Sequence, residues 1–417
     1  MKRFIIILVA LFIAFPIFGQ QTITLQECYE LATVNYPLVK QTQLLEAQNQ
    51  LDKQVVSNSK LPQLSFDAQA TYQSDVIEIS IPNSTIEPLN KDQYRATLSV
   101  NQLIYNGGAT DASLNVKSAQ LKTKQKQVEV NLYQLKQKIN QLYFSILLSQ
   151  ETDVLLKARQ ANLQAKLSEV KSGIKYGVLL PSSDKVLEAE LLKINQQFIN
   201  VENNRTVLIE SLSSIIGQTL STSTTFENPM VETLSRTELN RPEQELFQLK
   251  KEEIDNNEAL ITKQNAPKLL GFATGGYGNP GLNMLDNSFQ PFYIVGLKLN
   301  WNVFDWNSNK KQRESLAINK DIIDTEAETF KLNTNTELNQ QQREIEKIEA
   351  FITSDLEIIK LRKEVLKSAD SQLKRGVITS SAYITELTNL YEDENTLVQH
   401  KIQLQLAKAN YNTIKGQ

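Results

Sequence analysis

The sequence predicts a mostly α-helical chain that also contributes strands to a membrane β-barrel, with both parts built twice from one duplicated unit of β-hairpin and long coiled-coil helices. Three observations predict it. The chain repeats itself: Tyr94–Asn106 is echoed by Tyr293–Asp305, and Lys175-Tyr176-Gly177-Val178 by Lys374-Arg375-Gly376-Val377, at one offset of 199 (293 − 94). Long stretches carry apolar residues at alternating steps of four and three, the pattern of coiled-coil seams. Shorter runs alternate apolar and polar residues with the period of a strand.

The chain opens Met1-Lys2-Arg3, then an apolar run Phe4–Phe18, then Gly19. A basic start, a short apolar run and a small residue predict a secretory signal peptide over residues 1–19. The run is too short for a membrane span of ~20 residues. The first structural repeat covers residues 20–220, with helices at about 25–59, 110–172 and 184–217 and strands at about 62–74 and 93–105. The second covers 221–417, with helices at about 243–264, 308–374 and 382–415 and strands at about 267–278 and 292–304. Leu61-Pro62-Gln63-Leu64 and Tyr72 are echoed by Ala266-Pro267-Lys268-Leu269 and Tyr277 at an offset of 205 (267 − 62). The slip in offset falls between the two strands of each half, so it is a difference in loop length.

The helices follow from their seams. Val128, Leu132, Leu135, Ile139, Leu142 and Ile146 step by four and three. Leu187, Leu191, Ile194, Phe198, Val201, Leu208, Leu212 and Ile215 do the same, with Arg205 in the seam. Leu390, Leu397, Leu404 and Tyr411 recur every seven. The helix from about Asp111 to about Ser172 contains no proline or interior glycine and would run roughly 90 Å at 1.5 Å per residue. Helices of that length need long partners to bury a narrow apolar stripe.

The strands follow from alternation. Leu64, Phe66, Ala68, Ala70 and Tyr72 face away from Ser65, Asp67, Gln69 and Thr71. Tyr94, Ala96, Leu98 and Val100 face away from Arg95, Thr97, Ser99 and Asn101, and Tyr293, Val295, Leu297, Leu299 and Trp301 from Ile294, Gly296, Lys298, Asn300 and Asn302. Leu269–Tyr277 alternates poorly and is glycine-rich. A half-buried strand of a soluble sheet has the same alternation. Three features favour lipid: strands of ~9–10 residues suit a tilted span, the chain carries an export signal, and aromatic residues gather at the strand ends. Those membrane-interface aromatics are Tyr72, Tyr94, Tyr105, Tyr277, Tyr293, Trp301, Phe304 and Trp306. Four strands cannot close a barrel, and lipid tolerates no open edge, so the barrel must be shared among chains. Helices below it would form a second wall whose polar faces line water.

Composition excludes several classes of function. The net charge is −3, with no basic block for nucleic acid. A single cysteine, Cys28, allows no internal disulfide and is expected to be buried. A single histidine, His400, gives no material for a catalytic triad or a histidine metal site and is expected on a solvated helix face. No catalytic residue, metal site or cofactor is expected. Gly275-Gly276-Tyr277-Gly278 lacks the following helix that would bind phosphate.

The long helices end in turns. Lys171–Gly177 and Lys374-Arg375-Gly376 place basic residues in the last turn with glycine beyond, the chemistry of a helix stop. Ser182, Ser183 and Asp184, or Ser380 and Ser381, are expected to cap the returning helices. Exposed Val178, Leu179, Val377 and Ile378 at these tips could dock another protein.

Thr24–Ala32 with Asn35-Tyr36-Pro37, Leu61-Pro62-Gln63-Leu64 entering a strand, and Gln102–Gly108 leaving one resemble the TolC-like outer-membrane efflux proteins, the outer membrane factor family. Tyr176-Gly177-Val178 and Arg375-Gly376-Val377 resemble that family's two periplasmic tip turns. Each motif alone is weak, but the ordered set spans the chain after the signal. The resemblance implies a homotrimer in the outer membrane of a Gram-negative cell, with a twelve-stranded barrel and a long periplasmic α-helical tunnel. It implies a passive exit duct of a tripartite efflux pump or type I secretion system, energised by an inner-membrane transporter and met at its tips by a periplasmic adaptor (membrane fusion protein). The docking residues it implies are Tyr176, Gly177, Val178, Leu179, Arg375, Gly376, Val377 and Ile378. It also implies interhelical links that close the tip and, in some members, an acidic ring. Asp184 and Glu386 are the acids nearest the two turns for such a pore constriction, although the position of Asp184 favours capping a helix. Asp305-Trp306-Asn307 stands where the family usually has Asp-Gly-Gly. The competing function from another class is a soluble periplasmic coiled-coil adaptor or scaffold, against which two hairpins and lipid-length strands count.

Overall fold

The computed structural model describes residues 22–77, 87–233 and 239–416; the predicted signal peptide lies outside them. In chain order the elements are β1 (Thr22–Ile23), α1 (Leu25–Asn35), a short 3-10 turn (Pro37–Val39), α2 (Lys40–Asn58), β2 (Gln63–Tyr72), β3 (Asp92–Tyr105), α3 (Ala109–Tyr133), α4 (Leu135–Lys175) and α5 (Ser183–Ile216). Then follow β4 (Thr225–Phe226), α6 (Pro242–Gln264), β5 (Lys268–Asn279), β6 (Gln290–Asn300), α7 (Ser308–Lys374) and α8 (Ser380–Lys415). Among the described residues no helix is long and apolar enough to cross a membrane.

The chain divides into two compact units that cut across the sequence repeats. One comprises the described residues of Met1–Val39, Glu129–Pro242 and Phe330–Gln417, and the other Lys40–Val128 with Glu243–Thr329. Each draws segments from both halves of the sequence.

The first unit is helical. Its α1 starts on a capping box: Thr24 Oγ1 accepts from the Glu27 N–H at 3.2 Å, and the Glu27 carboxylate accepts from the Thr24 N–H at 2.7 Å. Leu25, Cys28 and Ala32 face inward at helical spacing. The helix expected to run unbroken to residue 59 stops at Asn35. Proline at 37 has no N–H to donate and holds Tyr36 extended, at ψ 134°. The core around α1, α4 and α5 centres on Tyr143, Phe144, Ile146, Leu147, Leu212 and Phe226. Tyr143 is fully buried, and its hydroxyl is shared between the carbonyls of Ile23 at 3.0 Å and Glu227 at 2.7 Å, which pins β1 and the chain after β4. Cys28 is buried as expected; burial, helped by the Glu27 charge, pushes its thiol up to about 12.

The single helix expected from 110 to 172 is interrupted at Gln134. That residue keeps right-handed helical angles, φ −62° and ψ −22°, and its N–H still reaches the Val130 carbonyl at 3.2 Å. The interruption is therefore a local fault in hydrogen bonding with no residue that breaks a helix. By contrast, α7 runs through all 67 residues of its predicted span.

The second unit holds a four-stranded antiparallel sheet in the order β2-β3-β5-β6. Its register puts Phe66 opposite Leu98, Leu98 opposite Gly275, and Gly275 opposite Tyr293, so the apolar sets of all four strands share one face. Ser65, Ser99, Thr274 and Ile294 stand in one row on the other. The glycine-rich run is a full central strand, β5. Glycines weaken a strand unless neighbours fill their space. Here the Phe292 ring covers Gly276 and the Phe272 ring covers Gly296, each directly across the β5–β6 pair. β6 ends at Asn300, short of the expected 304.

Candidate functional site

Both tip turns belong to the first unit, and both close as Schellman motifs. The Gly177 N–H donates to the Ile174 carbonyl at 3.0 Å and the Val178 N–H to Gly173 at 2.9 Å. The Gly376 N–H donates to Leu373 at 2.9 Å and the Val377 N–H to Gln372 at 2.9 Å. Gly177 and Gly376 take left-handed angles, φ 72° and 68°, that other residues rarely adopt. The turns approach each other: a Cβ on Gly376 would lie 3.0 Å from the Val178 carbonyl oxygen.

Of the eight residues expected to dock a partner, Gly177 and Gly376 form the turns and the other six divide in two. Tyr176, Val178, Arg375 and Val377 are exposed, with Tyr176 77% and Val377 69% accessible. Leu179 and Ile378 turn back onto the apolar cluster of α4, α5, α7 and α8. Leu180, which the sequence reading passed over, is also exposed. Its apolar side chain just before Pro181 was the available signal.

Behind the tips lies a buried charge layer that sequence reasoning missed. On α4 the inward positions are Leu156, Arg159, Leu163, Lys166 and Val170, a three-four seam with cations at every second place. Arg159 Nη2 donates to Glu190 Oε1 of α5 at 2.7 Å and to Thr388 Oγ1 of α8 at 3.1 Å. Its guanidinium lies 4.2 Å from the Tyr391 ring centroid. Lys166 binds Asp370 of α7 and Glu169 of its own helix, and stands over the Tyr383 ring at 5.4 Å. Burial pulls the Lys166 ammonium down, but the two carboxylates outweigh it and hold it above its ordinary range. Burial likewise raises the Asp370 carboxyl, and Lys166 and Lys374 overcome that and hold it below the usual carboxylate range. These links tie α4 to α5, α7 and α8.

A groove of about 680 Å³ runs between the first turns of α5 and α8, lined by Lys185, Glu190 and Lys193 on one side and Thr385, Thr388 and Asn389 on the other. The caps there differ from expectation. Ser182 is the N-cap of α5 without a side-chain bond, and Asp184 is the second helical residue, so it is no cap. Thr379, rather than Ser380 or Ser381, caps α8, its side chain accepting from the Ala382 N–H at 3.2 Å. Asp184 lies 3.7 Å from Lys185, and Glu386 lies 3.7 Å from Arg362. His400 is no solvated residue: its Nδ1 lies 2.6 Å from Asp355 Oδ2, between α7 and α8.

All eight aromatics named for the membrane interface are exposed. Tyr72, Tyr94, Tyr277 and Tyr293 gather toward one end of the sheet, and Tyr105 and Trp301 toward the other, followed by Phe304 and Trp306. Among the described residues no group of His, Cys, Asp and Glu is placed to hold a metal ion.

Residues 28–218 match the family model described as "Outer membrane efflux protein". No curated protein matches the sequence. The fold is shared with solved structures over nearly the whole chain. The outer membrane protein VceC of Vibrio cholerae aligns with a TM-score of 0.66 at 14% identity, over 94% of this chain and 96% of its own. The CmeC outer membrane channel of Campylobacter jejuni gives 0.65 at 14% identity, over 94% and 85%. The open state of the MtrE outer membrane channel of Neisseria gonorrhoeae gives 0.65 at 14% identity, over 94% and 89%.

Proposed function

We propose that the chain, whose residues 28–218 match the outer membrane efflux protein model, is a member of that family and the passive exit duct of a tripartite efflux pump or type I secretion system. On this reading the chain is a channel and no enzyme, and its place is the outer membrane.

The sheet carries this reading. Phe66, Tyr72, Tyr293, Val295, Leu297 and Leu299 lie on one face of it and are largely exposed. A soluble sheet would bury such a face, whereas lipid would solvate it. β2 and β6 each have a partner on one side only, and an edge is not tolerated in hydrocarbon. Three copies joined edge to edge give twelve strands and leave no edge. The exposed apolar residues of the helices, such as Leu44 and Leu51 of α2 and Leu192 and Ile199 of α5, suit burial against the neighbouring copies. The helices then line a periplasmic tunnel. The tip turns, with Tyr176, Val178, Leu180 and Val377 outward, dock a periplasmic adaptor and through it an inner-membrane transporter. The α4 charge layer acts as the interhelical link that holds the tip shut.

The test is fractionation, detergent extraction and native mass determination, followed by recording in planar bilayers. A trimeric mass from the outer-membrane fraction with steady conductance is expected. A soluble monomer that gives no conductance would overturn the duct.

A further inference from the structure

The polar face of the sheet carries an uneven charge. The register places Asp67 of β2, Arg95 of β3, Lys268 of β5 and Lys298 of β6 on it: Asp67 faces Thr97, Arg95 faces Gln69 and Gly278, Lys298 faces Leu270, and Lys268 faces Asn300. Three cations stand against one carboxylate, 3 − 1 = +2 per chain, while the chain as a whole is −3. Among the described residues no ion pair engages Arg95, Lys268 or Lys298. The Arg95 guanidinium lies instead over the Phe292 ring, 5.7 Å from its centroid.

Around Arg95 the face is concave. A cleft of about 390 Å³ is lined by Gln69, Thr71, Gln93, Arg95 and Asn279, among others. The cleft therefore offers a guanidinium and amide donors for an anionic oxygen.

We propose that this face, which on the duct reading lines the lumen, is an anion-favouring wall, and that the Arg95 cleft is its contact point for carboxylate-bearing solutes. Field lines confined in a narrow aqueous passage between low-dielectric walls amplify fixed charge. Rings of Arg and Lys select anions on the same ground. The carboxylate meets Arg95.

The experiment records reversal potentials of the full-length protein in planar bilayers across a KCl gradient. Chloride is expected to permeate more readily than potassium. The Arg95→Gln, Lys298→Gln double variant should lower the chloride-to-potassium permeability ratio at least about twofold, and Asp67→Asn should raise it. Gluconate added on one side should depress the wild-type current and leave the Arg95→Gln current nearly unchanged. All three sites are solvent-facing side chains, and an unaltered native mass confirms that the variants fold. Conductance that persists while the ratio and the gluconate block ignore these substitutions would overturn the wall and leave the duct standing. A wild type that never conducts would overturn both.

Discussion

Arg159 and Lys166 stand one heptad apart on the buried side of α4, and each is neutralised by a carboxylate from another helix, Glu190 of α5 and Asp370 of α7. Arg159 and Glu190 have side chains only 5% and 10% accessible. A pair so buried gains little over well-packed apolar residues, but removing one partner strands the other in a dry site. Glu190→Gln is thus expected to destabilise the protein by about 3 kcal/mol, and Arg159→Met with Glu190→Leu to restore most of that loss. Helix content followed by circular dichroism against temperature, in detergent, reads both. A single variant as stable as the double would sink the account.

The second pair makes stability depend on pH. The Asp370 carboxyl is held below its ordinary 3.8, so the folded state binds fewer protons than the unfolded one as that group titrates. Its contribution is present above the unfolded value and is lost as pH falls through the lower folded value. Lys166, held above its ordinary 10.5, contributes fully below that value and loses its contribution as pH rises through its folded value. The pair should leave stability flat in the neutral range, with an acid limb beginning below about pH 4. Asp370→Asn should lower the melting temperature at pH 7 and shrink the acid limb. An acid limb of unchanged size in that variant would assign it to other carboxylates.

Much of the fold was legible because period carries it. Alternation in β2, β3 and β6 put Phe66, Leu98 and Val295 on the face where the register places them. The length of α7 followed from its place in the second repeat, as counterpart of the first long helix. What period hides was missed. Arg159 and Lys166 fill seam positions between Leu156, Leu163 and Val170, and a count of apolar residues skips cations. β5 alternates poorly because Phe292 and Phe272, from the paired strand and from β5 itself, fill the space over Gly276 and Gly296. Pro37 was visible in the sequence, and its consequence for α1 is elementary chain geometry. The partner-facing half of the tips could not be told from the packed half, because Val178 and Leu179 differ by one methylene and face opposite ways.

The strand-to-helix turns show the same backbone written with different residues. Gly107 and Gly108 take φ 66° and 82°, and Trp306 and Asn307, standing where the resemblance predicts two glycines, take 55° and 61°. The departure leaves the turn left-handed. Asp305 steadies it by accepting from the Asn309 N–H at 2.9 Å and from Asn265 Nδ2 at 2.6 Å, and the Trp306 ring packs edge-on to Phe304 at 4.8 Å. The two glycines differ in surroundings. A Cβ on Gly108 meets nothing, while one on Gly107 would fall 2.1 Å from the Ala266 Cβ. Gly108→Ala should cost about 1 kcal/mol from backbone strain alone, and Gly107→Ala roughly 1–3 kcal/mol more from overpacking. Melting temperatures of the two variants decide it; equal losses would mean that the close approach to Ala266 carries no weight.

The tips separate docking from folding. Val178 and Val377 are exposed and follow the two left-handed glycines, so a charged side chain there alters the surface without disturbing the core. Val178→Asp and Val377→Asp should leave stability, read from thermal melts, within about 0.5 kcal/mol of wild type. On the duct reading they should weaken capture of the purified periplasmic adaptor at least about tenfold, since a buried unpaired carboxylate costs more than 1.4 kcal/mol. Gly376→Ala should behave differently. Its φ of 68° and the Val178 carbonyl 3.0 Å from the added Cβ mean that it strains the turn and pushes the two tips apart. It should lose stability by about 1 kcal/mol and adaptor binding together. Binding measured on immobilised adaptor beside thermal melts separates the cases. Aspartate variants that bind normally would remove the tips from the docking surface, whatever Gly376→Ala does.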